Sequence, residues 1–199
     1  MRLAAFLFPA ALLLIAGCQP SAQAPVYGPW EEGLTLAYED PSQPQPRRSN
    51  DRLQVRVNRS EIAPGAPRLV QLQLTSLQGQ TTVTVRHQDG GIALLDEDGR
   101  PAAQSLPVGF PATAAWTERG TQFRVLGRAT WEGAALLPAT SDPVGIWVEA
   151  RPAQGPLRRT LYLPNLGEVE SLEQRENAWV TVNRLVARGF IDLPSAPRP

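Results

Sequence analysis

The sequence predicts a mostly β domain: a single antiparallel meander sheet curved into a half-barrel, with a β-sandwich as the alternative and little helix. Three observations predict it. Apolar and polar residues alternate with period two in run after run. Glycine-bearing turn signals separate the runs. The connections are too short for the crossover helices that a parallel sheet needs.

In chain order, Leu34, Leu36 and Tyr38 share one face of the first run. Leu53, Val55 and Val57 alternate with Gln54, Arg56 and Asn58, and Val70, Leu72 and Leu74 with Gln71, Gln73 and Thr75. Val83 and Val85 follow between Thr82, Thr84 and Arg86. Phe123, Val125, Gly127, Ala129 and Trp131 read as one face of a longer strand opposite Arg124, Arg128 and Thr130. Runs at 146–150 and 159–163 complete the clear cases. The turns are expected at Gln78-Gly79, Asp89-Gly90-Gly91, Asp98-Gly99 and Arg119-Gly120, where glycine supplies positive φ cheaply. Over 168–188 the pattern is mixed. Trp179, Val182 and Val186 have helical spacing, while Val180 and Val182 flank Thr181 as in a strand. A strand pair with its turn in 173–177 is the preferred reading.

Ahead of these runs stands Met1-Arg2, then an apolar stretch, Leu3 to Ala16, that is too short to cross a bilayer as a helix, and then Ile15-Ala16-Gly17-Cys18. This arrangement resembles a bacterial lipoprotein signal peptide with its lipobox. The resemblance implies cleavage before Cys18, diacylation of its sulfur and a membrane-anchored mature chain. Gln19 is not the aspartate associated with inner-membrane retention. In a Gram-negative host that implies an outer-membrane protein facing the periplasm. The organisation read from this is a signal peptide (1–17), an acylated cysteine with a proline-rich flexible tether (18–29), a β-rich domain (30–193) and a proline-rich tail expected to be disordered (194–199). Proline-rich residues 40–50 are read as a long loop inside the domain.

Composition narrows the function. Every basic residue is arginine, and charges balance over the whole chain. No basic excess points to nucleic acid. Cys18 is the only cysteine, so no disulfide can form within the chain and packing must hold the fold.

The constellations of common catalysis are not found. No G-x-S-x-G occurs, and His87, the only histidine, is expected as a partly exposed residue at a strand end. Asp96-Glu97-Asp98-Gly99 lacks the spacing of a calcium loop and reads as a solvated hairpin tip. Glu31-Glu32 and Glu39-Asp40 are sequence neighbours, which a strand points to opposite faces, so neither makes an acid/base couple. The expectation is a non-enzymatic protein with no cofactor and no metal.

Two apolar connections are candidate contacts for a ligand or a membrane. One is 133–138, carrying Leu136 and Leu137; the other is 105–111, carrying Phe110 between prolines and placed to cap an open mouth of a curved sheet. Packing onto the core is the other reading of both. Trp147 points opposite to Ile146 and Val148, so a second sheet, a flap or a ligand must cover that face too.

An acylated cysteine, a tether and an antiparallel meander resemble, in overall plan, the lipoprotein carriers of the LolA/LolB type and the related mycobacterial lipid-binding lipoproteins. Their fold, an unclosed β-barrel around an apolar cavity, implies a lipid or other apolar ligand. Beyond Cys18 no binding residue carries over. The alternative is an adaptor lipoprotein with a filled sandwich that docks an envelope protein.

Overall fold

The structure, a computed structural model, describes residues 25–45, 47, 52–63, 66–139 and 141–190. Cys18, the signal peptide, most of the tether and the tail lie outside the described residues. Twelve strands are found among those described: β1 (Leu34–Glu39), β2 (Leu53–Glu61), β3 (Arg68–Ser76), β4 (Gly79–Gln88), β5 (Gly91–Leu95), β6 (Pro101–Leu106), β7 (Ala115–Glu118), β8 (Thr121–Thr130), β9 (Val144–Arg151), β10 (Arg158–Leu163), β11 (Gly167–Arg175) and β12 (Ala178–Phe190). They form one antiparallel sheet in the order β6-β5-β4-β3-β2-β1-β12-β11-β10-β9-β8-β7. The sheet is a nearly closed barrel with one seam, between the free edges of β6 and β7. One continuous sheet replaces the stacked pair of a sandwich.

The turn chemistry puts the hairpins where the sequence expects them. Asp89 and Gly90 have φ of 46° and 78°, Arg119 and Gly120 of 49° and 78°. Between β11 and β12 the chain reverses at Glu176, φ 54°. The region 168–188 is therefore a strand pair, and its helical spacing has a structural cause. Register slips leave Val182 unpaired against β11 and Val186 unpaired against β1. Each bulge shifts the alternation by one residue.

A bulge also corrects the reading of β8. Val125 pairs with Val148, but Gly127 (φ 134°) pairs with Trp147. Residues before and after the slip thus face opposite ways. Phe123 and Val125 join Ile146 and Val148 in one apolar cluster, while Trp131 and Ala129 join Leu161, Leu163 and Trp147 in another. Further slips occur in the β2–β3, β5–β6 and β10–β11 pairs. Such bulges increase local twist and bend, which is what rolls a flat meander into a barrel.

Antiparallel connectivity sorts the loops by end. The segment 25–33 and the β2–β3, β4–β5, β6–β7, β8–β9 and β10–β11 connections lie at one end, called here the strapped end. The remaining hairpins form the other, the tip end.

Candidate functional site

The strapped end is closed by the segment ahead of β1. The Asn165 amide donates to the Val26 carbonyl at 2.6 Å, the Trp30 indole donates to the Asn165 side chain at 2.9 Å, and the Gly33 amide donates to Val57 at 2.9 Å. The Arg68 guanidinium stacks 4.0 Å above the Trp30 ring. Tyr27 is buried, so packing begins at Val26, ahead of the boundary at Trp30 read from the sequence.

Beneath this strap lies an aromatic plug. Phe110 meets Tyr27 edge-to-face at 4.8 Å and lies 6.3 Å from both Trp116 and Tyr162; Trp116 stacks on Phe123 at 5.0 Å. Phe110 and Leu106 are fully buried. The connection containing Phe110 thus packs into the core of this end. Glycines make this approach possible. A Cβ on Gly90 would strike the Phe110 carbonyl oxygen, and one on Gly91 would lie 2.8 Å from the Val108 amide nitrogen.

Away from the plug the packing thins. On the inward face of β2, Val57 and Val55 are buried and Leu53 is half-buried; on β3, Val70 and Leu72 are buried and Leu74 is half-buried. On β4 the series is His87, Val85, then half-buried Val83 and exposed Thr81. The apolar lining is close-packed at the strapped end and incompletely covered toward the tip end.

Polar groups interrupt the lining on β10–β12. The Glu168 carboxylate accepts from the Ser171 hydroxyl at 2.8 Å and the Asn183 amide at 2.7 Å, and Ser171 and Thr160 share a hydrogen bond of 2.8 Å. Tyr38 donates to the Glu168 backbone carbonyl at 2.9 Å. Burial first, then the nearby Glu168 charge, pushes the Tyr38 and Tyr162 hydroxyls above the ordinary phenol range. Both phenols stay protonated, and Tyr38 serves as a hydrogen-bond donor rather than a base.

His87 departs from expectation. It is buried, and neither ring nitrogen has a hydrogen-bond partner among the described residues. The Ile92 side chain and Gly28 of the strap cover it; a Cβ on Gly28 would come 2.8 Å from the His87 ring. Strand pairing places it beside Arg68 and Ile92. Burial, with a smaller contribution from the Arg68 charge, lowers its pKa to about 4. Among the described residues no nucleophile or carboxylate hydrogen-bonds to it.

The candidate contact residues are not brought together. Phe110 is in the plug. Leu136, in a 3₁₀ turn (Ala134–Leu136), and Leu137 are half-buried and pack with Trp131, Trp147 and Leu161 in one apolar cluster. The 3₁₀ turn itself lies against β12. On the outer wall, the buried Glu149 carboxylate lies between Arg124 (2.9 Å) and Arg159 (3.0 Å), and Arg159 stacks 4.2 Å over Trp179. A groove of about 420 Å³ runs beside it along β7–β9, lined by Trp116, Gln122, Phe123 and Arg151 among others. Sequence reading missed the Glu168 network and the Glu149 lattice, because both join residues on different strands with no local spacing to betray them.

Fold and lining together define the class: an unclosed antiparallel β-barrel. The chain matches no family model and no curated protein. Two solved structures are similar to it. One is a proposed exported protein of YmcC-like fold from Bacteroides fragilis NCTC 9343, 13% identical, with a TM-score of 0.47 over 83% of this chain and 99% of that one. The other is a proposed lipoprotein from Parabacteroides distasonis ATCC 8503, 12% identical, with the same TM-score and coverage.

Proposed function

We propose that the protein is a bacterial lipoprotein, anchored by acyl groups on Cys18, that takes an apolar ligand such as an acyl chain into the loosely packed end of its barrel. It catalyses no reaction on that ligand. In a Gram-negative host, Gln19 after the acylated cysteine favours the outer membrane with the barrel in the periplasm.

The observation that supports this reading is the packing gradient. Leu53, Leu74 and Val83 stay half-covered while the same strands are fully packed a few residues away. Apolar surface left in contact with water inside a curved wall is a place for apolar chemistry. Burying about ten methylenes there would gain about 8 kcal/mol before ordering costs. That is enough for micromolar binding at best, as suits a protein that must also release its ligand.

The test is native mass spectrometry of the chain from Gln19 onward, alone and with added fatty acid or phospholipid. The expected result is one bound lipid per chain, lost when Leu74→Trp fills the lining without lowering the melting temperature. A clean apo mass with no uptake would overturn the reading. The groove beside free strand β7, with its Arg124–Glu149–Arg159 lattice, would then favour the adaptor reading, in which an extended segment of a partner protein docks along that edge.

A further inference from the structure

The strapped end collects apolar side chains that the core leaves outside. Of the large hydrophobic residues exposed among those described, Ile62 (56% exposed), Leu69 (40%), Val108 (50%) and Phe190 (50%) all belong to this end, in or beside its loops and strand termini. Leu77 stands by itself at the tip end, and Leu126 lies on the outer wall. Ile62, Leu69 and Phe190 fall within four neighbouring strands, β3-β2-β1-β12, spaced by about 4.8 Å, so the three lie within roughly 15–20 Å of each other. Val108 sits on the β6–β7 connection at the seam. Single exposed apolar side chains need no explanation, but a group of them at one end of a molecule does.

The chain itself says what this end faces. Pro25, where the described structure begins, leads straight into the strap. Six residues of chain separate Cys18 from Pro25, a reach of at most about 25 Å. Strands of nine or ten residues at barrel tilt put the tip end roughly 20 Å or more farther away. Turning the tips toward the bilayer would use up nearly the whole reach along the barrel wall.

We propose that the strapped end is a membrane-contact surface. In the anchored protein Ile62, Leu69, Val108 and Phe190 rest in the interfacial region of the bilayer, and the loosely packed tip end points away from it. This rests on acylation of Cys18. The contact is apolar rather than electrostatic, since Glu31, Glu32, Glu61 and Asp89 stand at the same end as Arg59, Arg68 and Arg188. Insertion of such side chains contributes through the area removed from water and is little affected by salt. The arrangement presents the ligand-accepting end to the aqueous side, where a soluble donor or acceptor can reach it.

Because the acylated Cys18 leaves no free thiol, single cysteines can be introduced and labelled. The acylated full chain carrying Ile62→Cys, Val108→Cys, Leu77→Cys or Asp98→Cys is tagged with an environment-sensitive fluorophore. It is then bound to vesicles of phosphatidylethanolamine with a minority of phosphatidylglycerol, with or without doxyl-labelled lipid. The expected result is a blue-shifted emission and several-fold stronger quenching at 62 and 108 than at 77 and 98, unchanged at high salt. Flotation with equal quenching at both ends, or stronger quenching at 77, would overturn the orientation while leaving the anchor intact. Failure of the acylated chain to float with the vesicles would overturn the anchor, and this proposal with it. Positions 62 and 108 lie on different connections, so one variant that misfolds leaves the other to decide.

Discussion

His87 occupies a site that suits a neutral, apolar side chain better than an imidazole. Its two ring nitrogens are buried without partners, under Gly28 and beside Arg68. Each such atom gives up hydration without recompense, at about 1–3 kcal/mol. The ring also titrates against the fold. Its pKa falls from the ordinary 6.5 to about 4 in the folded state, so between these values the unfolded chain binds a proton that the folded chain refuses. Stability from this group is fully present above pH 6.5, declines as the pH falls, and is gone below about 4. The difference amounts to about 3 kcal/mol. Urea unfolding at pH 7 and pH 4 should show the wild type losing about that much more than His87→Leu, with the variant at least as stable at pH 7. Equal losses in the two proteins would mean that the imidazole is hydrated or protonated in the fold.

Among the elements, the seam between β6 and β7 is the weakest join. No backbone ladder crosses it; the Arg119 guanidinium instead donates to the Ala102 carbonyl. At its strapped end the Gly109 amide donates to Asp89 at 2.8 Å and Phe110 anchors the connecting loop. Removing the side-chain bridge with Arg119→Ala should speed hydrogen exchange of β6 and β7 amides while β1, β2 and β12 keep their protection and the unfolding midpoint moves little. Uniformly faster exchange, or none, would show that the bridge is not what holds the two edges together. The elements also show what a sequence discloses. Turns are local events, so Asp89-Gly90 and Arg119-Gly120 were legible from residue type alone. Strand faces were legible only as far as the first bulge. Gly127, Val182 and Val186 each shift the alternation by pairing choices made in a neighbouring strand, and nothing within their own segment records that choice. The same reasoning explains the site. Phe110 stood out as an odd apolar loop residue, whereas the Glu168 and Glu149 contacts depend on which strands become neighbours. The burial of His87 depends on a strap that the sequence presents as tether.

At the scale of the whole molecule, ten of the eleven strand pairings among the described residues join consecutive strands, and β1–β12 alone of these is long-range. The barrel is therefore two six-stranded meanders, β1–β6 and β7–β12, zipped together along β1–β12 with Leu34 opposite Phe190 and Tyr38 opposite Leu185. The connection at 107–114 joins the same two halves at their outer edges. Local hairpins close cheaply, but the β1–β12 zipper has to find a partner some 150 residues away, and that search is where the loop-closure entropy falls. Neither half can bury its apolar face alone, since Leu36, Tyr38, Leu161 and Leu185 pack in one shared cluster. The two halves should accordingly behave as complementary fragments. A chain divided between Thr113 and Ala114, past the buried Phe110, is expected to reassemble from separately unfolded pieces into a 1:1 complex with the intact protein's circular dichroism. Each piece alone should show no cooperative melt, and Leu36→Asp in the first should abolish the complex. If the first fragment melts cooperatively by itself, β1–β6 is an independent folding unit and the zipper is a docking surface between two domains rather than the spine of one.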